Sequence, residues 1–173
     1  MAKNLNIPEL SFDHPERELH LYRYKKAREF VYGKILDVAC GWGYGSFILK
    51  NENNQVIGID NDSQALDYAR NHYRDIEFRQ QDIEVEPLPT GDCIVSMETV
   101  EHLRNPEKFI DSIKKSANLI FLSTPCAPTV GANPDHLHDF TEDQILSWFA
   151  DWEIIYEENQ IGIYKLICAR RKN

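Results

Sequence analysis

The sequence from Lys34 to Gly45 reads Lys34-Ile-Leu-Asp-Val-Ala-Cys-Gly-Trp-Gly-Tyr-Gly45. It starts as an apolar, β-like run and passes through Asp37 into three glycines at alternate positions, Gly41-x-Gly43-x-Gly45. Glycine allows a tight turn and a close approach of the backbone to another molecule. The segment therefore predicts a strand that leads into a ligand-binding loop.

Composition limits what this chain of 173 residues can be. Its length predicts one domain over residues 1–173, with residues 1–33 as an N-terminal helical cap on the acceptor side and 34–173 as the core. A formal net charge of −9 argues against nucleic acid and favours a small-molecule acceptor. The longest apolar runs, such as Leu119–Leu122, are short, so we expect a cytoplasmic protein without membrane insertion. Oligomeric state stays open.

Short apolar runs alternate with apolar residues at helical spacing, which predicts parallel strands joined by crossover helices. Pro15 is predicted to open a helix before the first strand. Asn105-Pro106 and the capping box Thr141-x-x-Gln144 predict the starts of two later helices. Residues 153–157 and 161–168 are predicted to close the sheet as an antiparallel pair.

The glycine segment resembles the first motif of class I S-adenosylmethionine (SAM)-dependent methyltransferases, Asp/Glu-x-Gly-x-Gly-x-Gly. Asp37, Gly41 and Gly43 are in register, and Ala39 stands where the first glycine usually is. The resemblance implies SAM as cofactor, with Asp37 near its methionine amino group. It also implies the Rossmann-like α/β fold of that class, a mostly parallel seven-stranded sheet with an antiparallel closing strand and helices on both faces.

Two more carboxylates extend the cofactor hypothesis. Asp60 ends the second predicted strand, where a carboxylate can accept both ribose hydroxyls. The resemblance places Asp82 against the adenine amine. A nicotinamide enzyme is the nearest alternative, but it needs Gly-x-Gly-x-x-Gly, and Ser46 occupies the last position. The expected cofactor residues are Asp37, Ala39, Gly41, Gly43, Asp60, Asn61, Asp82, Ile83 and Met97.

Candidate catalytic residues follow the fourth and fifth predicted strands. Glu98 and His102 lie after strand four, at the carboxyl edge where open α/β sheets bind ligands. His136 and His138 fall in the loop after strand five, at the same edge. Histidine titrates near neutral pH and suits the removal of a proton from a hydroxyl, so His136 is the leading candidate base. A surface role for either loop histidine is the alternative.

A divalent cation is a further hypothesis. Glu98, Glu101, His102 and His136 resemble in type and spacing the cation site of small-RNA 2′-O-methyltransferases, and a related set occurs in ubiquinone-pathway O-methyltransferases. Such a cation would lower the pKa of a coordinated hydroxyl. On one short helix, Glu98 would face Glu101 or His102. The alternative is that Glu101 and His102 only attach this segment to the sheet.

The chain also resembles small methyltransferases associated with glycan and lipopolysaccharide biosynthesis. The matching segments are Glu18–Tyr24, Ala39–Ser46, Ser96–Leu103, Ser123-Thr-Pro125 and Asn133-Pro-x-His136. The resemblance favours O-methylation of a sugar or sugar nucleotide. Tyr22 and Arg23 precede the first strand, and an aromatic ring beside an arginine suits a sugar ring or an anionic group, so we expect them at the acceptor together with His138. Packing of this helix onto the sheet is the alternative. The alternatives are 2′-O-methylation of RNA, methylation of a quinone precursor, and a SAM-binding regulatory subunit without turnover.

Overall fold

The computed structural model of the chain describes residues 17–131 and 133–172. Pro15, which is predicted to open a helix, lies outside the described residues, as do all of residues 1–16 of the predicted cap. The elements follow one another as α1 (Arg17–Ala27), β1 (Lys34–Val38), α2 (Tyr44–Leu49), β2 (Gln55–Asp60), α3 (Ser63–His72), β3 (Glu77–Gln80), β4 (Cys93–Met97), α4 (Pro106–Ser116), β5 (Leu119–Pro125), α5 (Glu142–Ser147), β6 (Trp152–Gln160) and β7 (Tyr164–Arg171).

The strands form one seven-stranded sheet in the order β3-β2-β1-β4-β5-β7-β6. The five strands from β3 to β5 are mutually parallel, with Leu36 of β1 opposite Ile57 of β2 and Ile94 of β4. Strand β7 runs antiparallel between β5 and β6. The predicted fold class is confirmed. The carboxyl ends of the parallel strands share one edge of the sheet, which brings the predicted site residues to that edge.

Apolar residues cover both faces of the sheet. Adjacent residues of β1 point to opposite sides, so Ile35 packs with α1, α2 and α3 whereas Leu36 packs with α4 and α5. Each face buries aliphatic and aromatic side chains, which is expected of a parallel sheet covered by helices on both sides. The helices therefore fix the sheet from both sides and leave its edge open for ligands.

Local sequence signals set the starts of the later helices. The side chain of Asn105 accepts a hydrogen bond from the backbone of Lys108 at 3.0 Å, and Pro106 is the first residue of α4. Thr141 and Gln144 form the predicted capping box at α5. Strand β6 continues to Gln160, beyond its predicted end at 157, whereas residues 161–163, predicted to begin the last strand, form the turn, and that strand runs from Tyr164 to Arg171.

None of the described helices, of which the longest have 11 residues, combines the length and apolarity needed to cross a bilayer. Cys40, Cys93 and Cys168 are buried as free thiols, and Cys126 is half-buried. The single-domain assignment over residues 1–173 stays a prediction.

Candidate active site

The loop after β1 has a left-handed backbone at three alternate positions. The φ angle is +60° at Ala39, +50° at Gly41 and +79° at Gly43. Glycine adopts this region freely, whereas a Cβ makes it unfavourable. Ala39 therefore has a backbone conformation that favours glycine, and it stands at the motif position where glycine is usual. A Cβ on Gly43 would lie 2.7 Å from the Cβ of Ala69, so the loop packs tightly onto α3.

Asp60 holds this loop against the end of β2. Its Oδ2 accepts a hydrogen bond from the backbone N–H of Gly41 at 2.7 Å, and its Oδ1 accepts one from the backbone N–H of Asp62 at 2.9 Å. Asp62 in turn caps α3 through its own carboxylate. The carboxylate of Asp60 therefore fixes the loop after β1 and the start of α3 in one arrangement.

A cavity of about 290 Å³ opens beside this loop at the carboxyl edge of the sheet. It brings together residues that follow β1, β2, β3 and β4, as expected for the ligand site of an open α/β sheet. Seven predicted site residues line it, five of the cofactor set and two of the catalytic set. The full lining is Ala39, Asp60, Asn61, Gln81, Asp82, Ile83, Glu84, Glu98, Thr99, His102 and Leu103.

Asp37, Gly41, Gly43 and Met97 are predicted cofactor residues that do not belong to this lining. Asp37 is fully buried. Its Oδ1 accepts a hydrogen bond from the hydroxyl of Tyr24 at 3.2 Å, and its Oδ2 accepts one from Ser46 at 2.6 Å. Burial raises the pKa of Asp37 to about 7, although these two hydrogen bonds oppose the rise. Asp37 thus joins α1, β1 and α2.

The segment after β4 turns sharply at Glu98, whose φ is +49°, and then forms a 3₁₀ turn over Val100–His102. The expectation that Glu98 would share a helical face with Glu101 or His102 is wrong, because Glu98 precedes the turn. Its Oε1 accepts a hydrogen bond from Ser123 Oγ at 2.8 Å. Glu98 is therefore directed toward the end of β5.

Glu101, His102 and His136 form a cluster in which one potential ligand atom from each lies within 4.8 Å of the others. Glu101 is fully buried, and its Oε2 accepts a hydrogen bond from Thr124 at 3.0 Å. Its Oε1 has no hydrogen-bond partner among the described residues. Burial, followed by the charge of Glu98, raises the pKa of Glu101 well above its usual range. Glu98, the fourth predicted ligand, is not in this cluster.

One hydrogen bond determines which ring nitrogen of neutral His102 carries the hydrogen. Its Nδ1 lies 2.9 Å from the backbone oxygen of Asp135, and because a carbonyl oxygen only accepts, Nδ1 carries the hydrogen. A neutral His102 thus has its lone pair on Nε2. His136 places Nδ1 2.7 Å from the hydroxyl of Thr129, and its ring meets the ring of His102 edge-on at 4.7 Å. Residues after two different strands therefore meet at this point.

Two residues predicted for the acceptor are engaged inside the protein. His138 donates from Nε2 to the backbone oxygen of Leu103 at 2.9 Å and stacks on Phe140. Arg23 is fully buried against the ring of Tyr164. The prediction that Arg23 contacts the acceptor does not fit this burial. The helix is rich in charged residues, RELHLYRYKKA, so its sequence does not indicate which of them is buried.

Tyr22 is 40% exposed and borders a second cavity of about 540 Å³ between α1 and the end of β6. Its hydroxyl donates to Glu158 at 2.8 Å. This cavity shares none of its lining residues with the first one.

Sequence reasoning missed several residues of the site. Tyr24 and Ser46 bind the Asp37 carboxylate, and Glu84, Thr99 and Leu103 line the main cavity. Ser46 had only its motif position to single it out. The contact between Tyr24 and Asp37 joins a helix to a strand thirteen residues later, and no local spacing rule indicates it.

The sequence profile of a family described as a methyltransferase domain matches residues 32–162. The chain is 27% identical over 157 residues to a protein of Mycobacterium tuberculosis (strain H37Rv) named "Probable S-adenosylmethionine-dependent methyltransferase". That match covers 84% of this chain and 57% of the relative. The chain therefore spans less than two-thirds of the length of this relative.

A ubiquinone biosynthesis O-methyltransferase of Actinobacillus pleuropneumoniae is 33% identical over 117 residues, which is 60% of this chain and 50% of that protein. Among solved structures, magnesium protoporphyrin IX methyltransferase from Synechocystis with bound SAM superposes with a TM-score of 0.69 at 16% identity. That superposition covers 88% of this chain and 77% of the other, and at this identity it concerns the fold.

Proposed function

The chain belongs to the family of SAM-dependent methyltransferase domains, and from this premise we propose that it transfers a methyl group to a hydroxyl of a small polar acceptor, such as a sugar or sugar nucleotide. One observation carries the proposal. A single cavity runs from the predicted cofactor carboxylates Asp60 and Asp82 to Glu98 and His102.

The cavity fits SAM in the chemistry of its walls. The side chains of Asp60 and Asp82 supply acceptors for hydroxyl and amine groups, and Asn61 and Ile83 line the same cavity. Ala39 carries only a methyl group and Gly41 no side chain, so the loop leaves room for a ligand close to its backbone. We assign Asp60 to the ribose and Asp82 to the adenine, while Asp37 and Met97 support the loop and the end of β4 from inside the core.

When bound, SAM supplies a methyl group on a sulfonium that leaves as a neutral thioether. The protein therefore has to align the acceptor hydroxyl, exclude water and remove one proton. We assign proton removal to the pair His136 and His102, with His136 as the leading base. The fixed lone pair on Nε2 of neutral His102 makes it the second candidate.

Several features support a small acceptor. The lining of the main cavity contains four carboxylates and neither lysine nor arginine, so its charge disfavours a polyanion such as RNA. A hydroxyl-bearing acceptor matches the polar character of the walls. The likeness to glycan-associated methyltransferases points to a sugar.

A second candidate is cation-assisted methylation of a quinone precursor. The convergence of Glu101, His102 and His136 favours it, as does the likeness to the Actinobacillus pleuropneumoniae enzyme. One carboxylate and two imidazoles suit Zn²⁺ or Mn²⁺. Oε1 of Glu101 offers a buried acceptor without a hydrogen-bond partner among the described residues, and His102 has a backbone partner that orients it. Such a cation would stabilise the deprotonated acceptor hydroxyl.

The test is binding followed by turnover. Isothermal titration calorimetry should show binding of SAM and of its product S-adenosylhomocysteine (SAH), and NADH should not bind. Radiolabelled SAM is then incubated with sugars, sugar nucleotides and catechols, and labelled product is counted. Labelled sugars support the first candidate and labelled catechols the second. SAM binding without turnover on any acceptor would favour the regulatory subunit, and binding of NADH but not SAM would reject the proposal.

A further inference from the structure

Arg23 is a fully buried charge that links α1 to the candidate active site. Its Nε donates to Oε1 of Gln160 at 2.7 Å, and its guanidinium carbon lies 3.9 Å from the centre of the Tyr164 ring. Its Nη1 lies 3.3 Å from Oε1 of Glu98. One arginine therefore ties the helix before β1 and the closing hairpin to the turn after β4.

Packing alone does not account for an arginine at this position. Burial of a guanidinium is costly, and an apolar side chain would fill the same space without that cost. The cost is only partly offset, since neither Nη1 nor Nη2 has a hydrogen-bond partner among the described residues, and the contact of Nη1 with Glu98 is an ion pair at 3.3 Å. The stacking on Tyr164 and the bond to Gln160 hold the guanidinium in one place. These two contacts therefore hold a positive charge at a fixed position next to Glu98.

Glu98 is held from several directions. Its backbone is in the left-handed region, and its N–H donates to the backbone oxygen of Ser123 at 3.0 Å. Its Oε1 accepts a hydrogen bond from the hydroxyl of Ser123 and forms the ion pair with Arg23. The same residue borders the main cavity beside Thr99 and His102. The side chain of Glu98 is therefore a negative charge of defined position at the cavity wall.

We propose that Arg23 is a positioning residue, which fixes the carboxylate of Glu98 at the wall of the main cavity so that the site favours the cationic sulfonium of SAM over the neutral thioether of SAH. The inference rests on the proposed function, because only that function places SAM in this cavity. The physical basis is the Coulomb attraction between a fixed carboxylate and a sulfonium in a site that is partly shielded from water.

The experiment compares the dissociation constants of SAM and SAH by calorimetry. Glu98→Gln should weaken SAM binding about tenfold more than SAH binding, because only SAM carries the sulfonium charge. Arg23→Gln should reduce the preference for SAM by a similar factor, and the double variant should be no worse than either single one, since both changes remove one interaction. Arg23→Lys should restore part of the preference. Lys25→Gln removes an exposed charge from the same helix and should change neither constant.

Three results would overturn the inference. Tighter binding of SAM by Arg23→Gln than by the wild type would mean that the arginine acts only by repelling the sulfonium. Equal weakening of SAM and SAH would show a purely structural role. An unchanged SAM to SAH ratio in Glu98→Gln would remove Glu98 from cofactor recognition.

A second variant, which keeps the charge of Arg23, tests the inference even if Arg23→Gln does not fold. Gln160→Met keeps the arginine and removes the oxygen that anchors its Nε, so the preference for SAM should fall severalfold in a folded protein, as checked by circular dichroism. If Arg23→Gln does not fold and Gln160→Met keeps the wild-type ratio, the positioning role is rejected. Failure of the wild type to bind either compound would instead reject the proposed function.

Discussion

The hydroxyl of Tyr24 in α1 donates a hydrogen bond to Oδ1 of Asp37 in β1 at 3.2 Å. The ring of Tyr24 also covers Gly45, where a Cβ would lie 2.1 Å from its Cζ. Together with the bond from Ser46 to the other oxygen of Asp37, this contact ties the N-terminal helix to the strand and to the helix after the glycine loop. The loop is therefore supported from behind by α1.

Asp37 should make stability depend on pH. Burial raises its pKa from 3.8 to about 7, so the folded protein binds this proton more tightly than the unfolded chain. The free energy of unfolding should then fall as pH rises from about 4 to about 7, by about 1.4 kcal/mol per pH unit at most, and level off above. Asp37→Asn should lack the part of this fall that comes from Asp37, whereas the part that comes from the raised pKa of Glu101 should remain. Denaturant titrations between pH 4.5 and 8 measure the difference.

Asp75→Asn, at an exposed turn, is the matched control and should follow the wild type across that pH range. Parallel curves for the wild type and Asp37→Asn would show that Asp37 keeps an ordinary pKa in the folded state.

Asp60→Ala should weaken binding of both SAM and SAH. The variant loses the proposed acceptor of the ribose hydroxyls and also the bond that holds the N–H of Gly41. The expected loss is about 1.5–3 kcal/mol, measured by calorimetry. Asp75→Ala removes an exposed carboxylate outside the cavity lining and should bind as the wild type does. Unchanged binding in Asp60→Ala would remove Asp60 from the cofactor site.

Gly43→Ala should destabilise the fold more than Gly162→Ala. Both positions have positive φ, +79° and +72°, so both variants carry backbone strain of about 1 kcal/mol. Only at position 43 does the new Cβ collide, at 2.7 Å from Ala69 and 2.8 Å from Phe78. Overpacking should add about 1–3 kcal/mol, visible as a lower melting temperature. Equal destabilisation of the two variants would show that the loop can move away from α3.

The candidate cation site predicts that the purified protein binds Zn²⁺ or Mn²⁺. Calorimetry should give about one site per chain, and Glu101→Gln should weaken binding at least tenfold because the anionic ligand is lost. Glu98→Gln should leave cation binding near the wild-type value, since Glu98 lies outside the cluster. Failure of both cations to bind, with full activity in EDTA, would leave the histidines to act without a metal.

His136→Ala should reduce kcat by about 10²–10⁴ on an identified acceptor if His136 removes the proton. SAM affinity should barely change, because His136 is not among the residues that line the main cavity. The melting temperature should change little, since His136 lies in a loop outside the packed core. Near-normal turnover would shift the role of base to His102, for which His102→Ala is the companion variant.

The sequence by itself determined the elements and the edge of the sheet where the site lies. The capping signals at Asn105 and Thr141 act within a few residues, so they predict helix starts without tertiary information. The apolar period separates strands from helices, and the glycine motif places a loop after β1. Parallel topology then carries Asp60, Asp82 and Glu98 to one edge, as the cavity lining shows.

Only the tertiary structure decided which side chains meet there. Arg23 and Glu98 are 75 positions apart in the sequence. Their ion pair depends on how α1 docks against β6 and β7. The same holds for His136, which a long loop brings to His102. Such contacts arise from packing between distant segments, whose geometry is fixed by the whole core. Local propensity and spacing act over a few residues and carry no information about that docking.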